Sequence, residues 1–163
     1  MSRICTAPLT VLAAAVLLFS ACNSVSSTTV GEGSSGLDPS HPITTITLPD
    51  GAQIKAELAI TRDAQAQGMM FRTNLRPDEG MLFPFEEMAP RAFWMFQTLI
   101  PLDIIWLDDN KRIVEIAANS PPCRTVPDDC PTYGGSAHST YVVELAAGQA
   151  AAHNLTLGSQ LAF

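Results

Sequence analysis

Positive charge is scarce in this sequence: nine Lys and Arg stand against sixteen Asp and Glu, for a formal charge of −7. Lys55 and Lys111 are its two lysines. Such a chain lacks the basic footprint that holds a phosphate backbone, so nucleic acid is not an expected partner. Electrostatic docking on anionic lipid is equally disfavoured. Histidine is limited to His41, His138 and His153, widely separated. Gly-x-Ser-x-Gly and Cys-x-x-Cys are both missing, and Gly134-Gly135 lacks the strand-to-helix setting of a phosphate loop. These absences leave no complete constellation for hydrolysis, dithiol exchange or nucleotide binding, and they call for no cofactor.

What is present begins with an export signature. Arg3 supplies a short positive segment, Ala7 to Phe19 an apolar one, and Ser20-Ala21 small residues before Cys22, which predicts a signal peptide over 1–21. The apolar stretch is shorter than the roughly 20 residues a spanning helix needs. Phe19-Ser20-Ala21-Cys22 resembles the lipobox of bacterial lipoproteins, in which the Cys is lipidated, although Leu is usual where Phe19 stands. Lipidation of Cys22 would tether the chain to a membrane through more than one acyl chain, enough for stable anchoring. By resemblance to the Gram-negative sorting rule, Asn23 favours the periplasmic face of the outer membrane. Residues 22–42, rich in Ser, Thr and Gly, read as a flexible linker, and 43–163 as the folded domain.

Within that domain strand signals dominate. Ile43 to Leu48, the turn chemistry of Pro49-Asp50-Gly51 and the alternation from Gln53 to Ile60 predict a hairpin. Thr61 is placed to N-cap a short helix from Arg62 to Gln67, with Gly68 to stop it. Met81 to Phe83 reads as a short strand, Pro84 to Pro90 as a break, and Asp108 to Lys111 as the turn of a second hairpin. Pro121 to Ser136 reads as a long loop, Tyr141 to Leu145 as a strand, Gly148 to Asn154 as a helical turn and Leu155 to Phe163 as a closing strand. The fold class expected is mostly β (α+β): a small single-domain, β-barrel-like sheet with one or two short helices, closed because closure removes sheet edges.

The chain is organised around Phe93 to Trp106, an apolar run containing both tryptophans and the isolated Asp103. Alternation puts Leu102, Ile104 and Trp106 on one face and Asp103, Ile105 and Leu107 on the other. A carboxylate in that company must be hydrogen-bonded, paired or facing a wet cavity, because leaving it buried alone costs several kcal/mol. Arg72, closing the apolar run Met69-Met70-Phe71, is a candidate partner or anion ligand. Trp94, Thr98, Asp103 and Arg72 therefore form a candidate site for a small polar ligand. Cys123 and Cys130, in an exported chain, read best as a disulfide; a metal site completed by His138 and His153 matches no standard zinc spacing. Ser136, His138 and Asp103 can be assembled into a triad only on paper.

At these residues the chain resembles a family known as domain of unknown function 192. The shared pieces are Gly68-Met69-Met70-Phe71-Arg72, Asp78-Glu79-Gly80-Met81-Leu82-Phe83, Phe93-Trp94-Met95, Thr98 to Ile104, Pro121-Pro122-Cys123 with Cys130-Pro131, and Tyr141-Val142-Val143-Glu144-Leu145. The resemblance implies a small β-rich domain, often exported, and no activity or catalytic residue. Members commonly carry a basic residue and Asn where Phe96 and Gln97 stand; if that basic residue binds a ligand or pairs with Asp103, this chain has lost it. The function expected is a non-catalytic envelope module that binds a small polar ligand or a partner segment. The alternatives are an envelope hydrolase using Asp103 as general acid or base, and a structural assembly lipoprotein.

Overall fold

β-branched and aromatic residues on alternating positions draw most of the chain into one sheet. The computed structural model describes residues 35–163, which lie within a single compact unit, Glu32–Phe163. The expected leader, Cys22 and the first part of the expected linker lie outside the described residues. The strands are β1 (Ile43–Thr47), β2 (Gln53–Leu58), β3 (Glu79–Trp94), β4 (Leu102–Leu107), β5 (Ile113–Ser120) and β6 (Thr132–Ala146), in the order β1-β2-β3-β6-β4-β5. All pairings are antiparallel except β2 with β3, which are parallel and joined through the helix α1 (Arg62–Gln67). A second short helix, α2 (Gln149–Ala152), follows β6.

The first hairpin and α1 form as their local chemistry dictates. Thr61 accepts the Ala64 N–H through its hydroxyl at 3.1 Å, and Gly68 ends the helix with φ of 48°. In β4 the alternation holds: Leu102, Ile104 and Trp106 join a core with Met81, Phe83 and Val142, while Ile105 and Leu107 join another with Ile46, Ile54, Val143 and Leu145. Each face of the central strands is therefore buried.

The barrel expectation is corrected: no strand pairing joins β1 to β5, and the sheet stays open. The C-terminal segment instead covers the edges. Ala162 exchanges backbone hydrogen bonds with Thr47 at the end of β1, and Gln160 bridges Arg112 beside β5. Part of each edge is covered without closure, and the expected closing strand is reduced to these two bridges.

Two strands are much longer than their sequences predict. β3 continues through Pro84 and Pro90 because beyond Leu82 it has left β2 and pairs only with β6, with irregular register between Pro84 and Ala89 and between Pro90 and Ala92. A proline there removes no ladder bond from a second neighbour. β6 begins at Thr132, inside the expected loop, and holds Gly134 and Gly135. A Cβ on Gly134 would lie 2.3 Å from the Trp106 ring, so this glycine admits the indole and is not a loop marker. Trp106 is fully buried, its indole N–H donating to the Arg91 carbonyl at 2.8 Å.

Candidate functional site

The four residues singled out from the sequence do not meet at one point. Asp103 is fully buried on the β4 face away from Trp106, and each of its carboxylate oxygens is hydrogen-bonded. Oδ1 accepts the Asn119 N–H and Oδ2 the Ala150 N–H, both at 2.7 Å. The first bond serves a residue of β5 with φ of 53°, where the pairing with β4 slips register. The second supplies α2 with the cap that Gly148, having no side chain, cannot give. Asp103 is thus a structural acid, and a general acid or base role has no support from its position.

Arg72 is equally committed. It forms a two-pronged ion pair with Glu57, at 2.5 and 2.7 Å, and donates to the Gly36 carbonyl. Glu57 is fully buried in β2 and also meets the His41 Nδ1 at 2.6 Å and the Asp38 N–H at 2.6 Å. Nearby Glu79 accepts from the Ser35 hydroxyl at 2.6 Å, the Gly36 N–H at 2.8 Å and the Arg76 N–H at 3.1 Å. Burial pushes the Glu79 carboxyl up, but these bonds and the Arg76 charge outweigh it and hold the group below its ordinary range. Two buried carboxylates therefore strap residues 35–41, the last part of the expected linker, to the domain.

Trp94 and Thr98 do share a site, with a residue the sequence reading passed over. Glu144 lies in β6 between Met81 of β3 and Ile104 of β4, 4% exposed. Its Oε2 has no hydrogen-bond partner. It forms the floor of a cavity of about 30 Å³ walled by Gly68, Met70, Phe83, Trp94, Phe96 and Thr98. Burial pushes the Glu144 carboxyl up to about 8, and the opposing pull of Arg72 does not reverse this. A wider cleft of about 360 Å³, with Phe85, Arg91, Phe93 and Trp94 in its walls, shares the Trp94 side of this cavity. Trp94 is 41% exposed and stacks at a tilt on Phe96, with ring centroids 5.3 Å apart.

The cavity wall is braced from behind. Cys123 and Cys130 form a disulfide, as expected. The Cys123 backbone accepts the Gln97 N–H at 2.8 Å and donates to the Met95 carbonyl at 3.2 Å, which fixes the chain on both sides of Phe96. Phe96, where a basic residue stands in the resembled family, faces the Glu144 cavity and not Asp103. Of the residues lining the cavity only Glu144 ionises, so it offers no acid–base pair. His153 pairs with Asp50 at 2.7 Å, while Ser136 and His138 are exposed on β6; neither the paper triad nor the metal set assembles.

The sheet and cleft define a small mixed-sheet domain with a buried acid under an aromatic opening. The chain belongs to the family described as Uncharacterized ACR, COG1430 (DUF192), whose model matches residues 45–163. Two solved structures are similar. One, from Novosphingobium aromaticivorans DSM 12444 and of unknown function, is 31% identical with a TM-score of 0.69, covering 81% of this chain and 94% of its own. The other, from Sinorhizobium meliloti 1021 and provisionally described as a transcription regulator, is 28% identical with a TM-score of 0.68, covering 77% of this chain and 97% of its own. No curated protein matches.

Proposed function

We propose that this protein is an exported, lipid-anchored, non-catalytic module of the cell envelope that holds a small polar ligand in the cleft above Glu144. One observation carries the reading: a buried carboxyl oxygen without a partner, at the floor of a cavity whose aromatic wall opens to solvent at Trp94. Leaving a buried acceptor unmet costs about 1–3 kcal/mol, a cost that a ligand donor or water removes. The lipobox-like Phe19 to Cys22 and the disulfide are in keeping with life outside the cytoplasm. The regulator description of the Sinorhizobium relative is not carried over, since a formal charge of −7 disfavours DNA. The test is thermal unfolding of the purified protein against sugars, amino acids, peptidoglycan fragments and divalent metals. A ligand at 100 times its Kd raises stability by about 2.7 kcal/mol. The reading requires a compound that shifts wild type and fails on Glu144→Gln; a library that shifts neither sinks it.

A further inference from the structure

The size and the lining of the Glu144 cavity together restrict what can enter it. A volume of about 30 Å³ accepts about two or three non-hydrogen atoms, given that one water needs about 10–15 Å³ on this measure. Phosphate, sulfate, guanidinium and trimethylammonium heads are too large. Anionic heads also meet a carboxyl group with no cation beside it in the lining. Four aromatic rings, Phe83, Phe93, Trp94 and Phe96, line this space, and the negative face of such a ring favours a cation over an anion. The floor offers an unpartnered oxygen, Oε2 of Glu144, which accepts from a donor once the carboxyl ionises.

We infer that the cleft takes the terminal ammonium of an unbranched primary amine, with its alkyl stem lying along Trp94 and Phe93 in the wider opening. This rests on the reading of the cleft as a ligand site and names the ligand class. A slender –CH₂–NH₃⁺ tip fits the cavity, pairs with the carboxylate and supplies N–H donors where a hydroxyl supplies one.

The neighbours of Glu144 set the proton balance. From β3 they are Met81 and Phe83, from β4 Ile104, and none of these titrates. The one charge acting on it from the α1–β3 connection is that of Arg72, already engaged by Glu57. In the empty site the carboxyl, pushed up to about 8, holds a proton at neutral pH. Entry of R–NH₃⁺ converts Glu–COOH to Glu–COO⁻ and releases that proton to solvent. Affinity should therefore rise by up to about tenfold per pH unit below about pH 8 and level off above it.

The probes are n-butylamine, n-butanol, butyrate and tetramethylammonium, added to the purified full chain at the millimolar levels suited to such small ligands. The readouts are the amide NMR signals of Gly68 and Glu144 and calorimetry in two buffers of different ionisation enthalpy. Butylamine should shift both amides and release about one proton at pH 7. Glu144→Gln, neutral and of the same shape as the protonated acid, should bind it at least tenfold more weakly. Trp94→Leu, at a half-exposed position that spares the core, should weaken butylamine severalfold and butanol little. Butyrate and tetramethylammonium should do nothing. Butanol binding as well as butylamine, in wild type and in Glu144→Gln, would overturn the ammonium assignment while leaving a cleft that binds ligands. Silence from all four probes would also overturn it, and the broader screen then decides the cleft reading separately.

Discussion

Asp103 and Glu144 are both single carboxylates set into apolar strands, and their neighbours send them to opposite ends. Asp103 meets two backbone N–H groups at 2.7 Å, donors from β5 and α2. Asp103→Asn keeps one acceptor and turns an amide NH₂ toward a donor, so it should cost about 1–3 kcal/mol in unfolding while leaving ligand shifts at the cleft unchanged. Glu144 instead keeps its proton to about 8 because burial outweighs Arg72. Its unfolded value is an ordinary 4.5, so between these limits the unfolded chain has lost the proton that the folded one retains. The Glu144 contribution to stability is therefore full below about pH 4.5 and falls as pH rises to about 8, with a slope approaching 1.4 kcal/mol per unit. Denaturant titrations across that range should show Glu144→Gln gaining on wild type as pH rises. A constant difference would mean that the Glu144 carboxyl titrates normally. The local pattern marks both acids as unusual, since each interrupts an apolar strand. It cannot say which is satisfied, because the donors to Asp103 lie 16 and 47 residues away in the chain.

Among the elements, the strap at residues 35–41 shows how composition misleads. Ser, Gly and Pro there read as linker, yet Gly36 sits so close to Asn74 that a Cβ would fall 2.3 Å from its carbonyl oxygen. The buried acids of β2 and β3 need that backbone as much as it needs them. Arg72→Ala leaves Glu57 charged and buried, and should cost about 3–5 kcal/mol by equilibrium unfolding. Retention of wild-type stability would show that His41 and the strap amides suffice for Glu57. Glu79, held below its ordinary 4.5, stabilises the fold above that pH and loses the effect as pH falls further. The strap amides should then exchange faster in acid than the sheet does. β3 makes the complementary point: its prolines and the Gly pair of β6 look like breaks, and only one-sided pairing and the Trp106 ring make them tolerable.

For the molecule as a whole, an open sheet capped by its own C-terminal segment places the cleft at one side of the central strands, where β3 ends and the disulfide braces the turn. The proposed anchoring is tested apart from the cleft: Cys22→Ser should move the protein from the membrane fraction to the soluble one and abolish labelling with a palmitate analogue. Unchanged partition and labelling would remove lipidation from the proposal. The sequence alone sufficed for the first hairpin, α1, the facing of β4, the disulfide and the family, since each depends on periodicity, a cap or a motif within a short span. Half the candidate site was also legible, in Trp94 and Thr98. The open sheet, the length of β3 and β6, the roles of Arg72 and Asp103 and the solitude of Glu144 were decided only by tertiary structure. Each turns on which distant donor, ring or carboxylate arrives beside a residue, and local pattern carries no record of that.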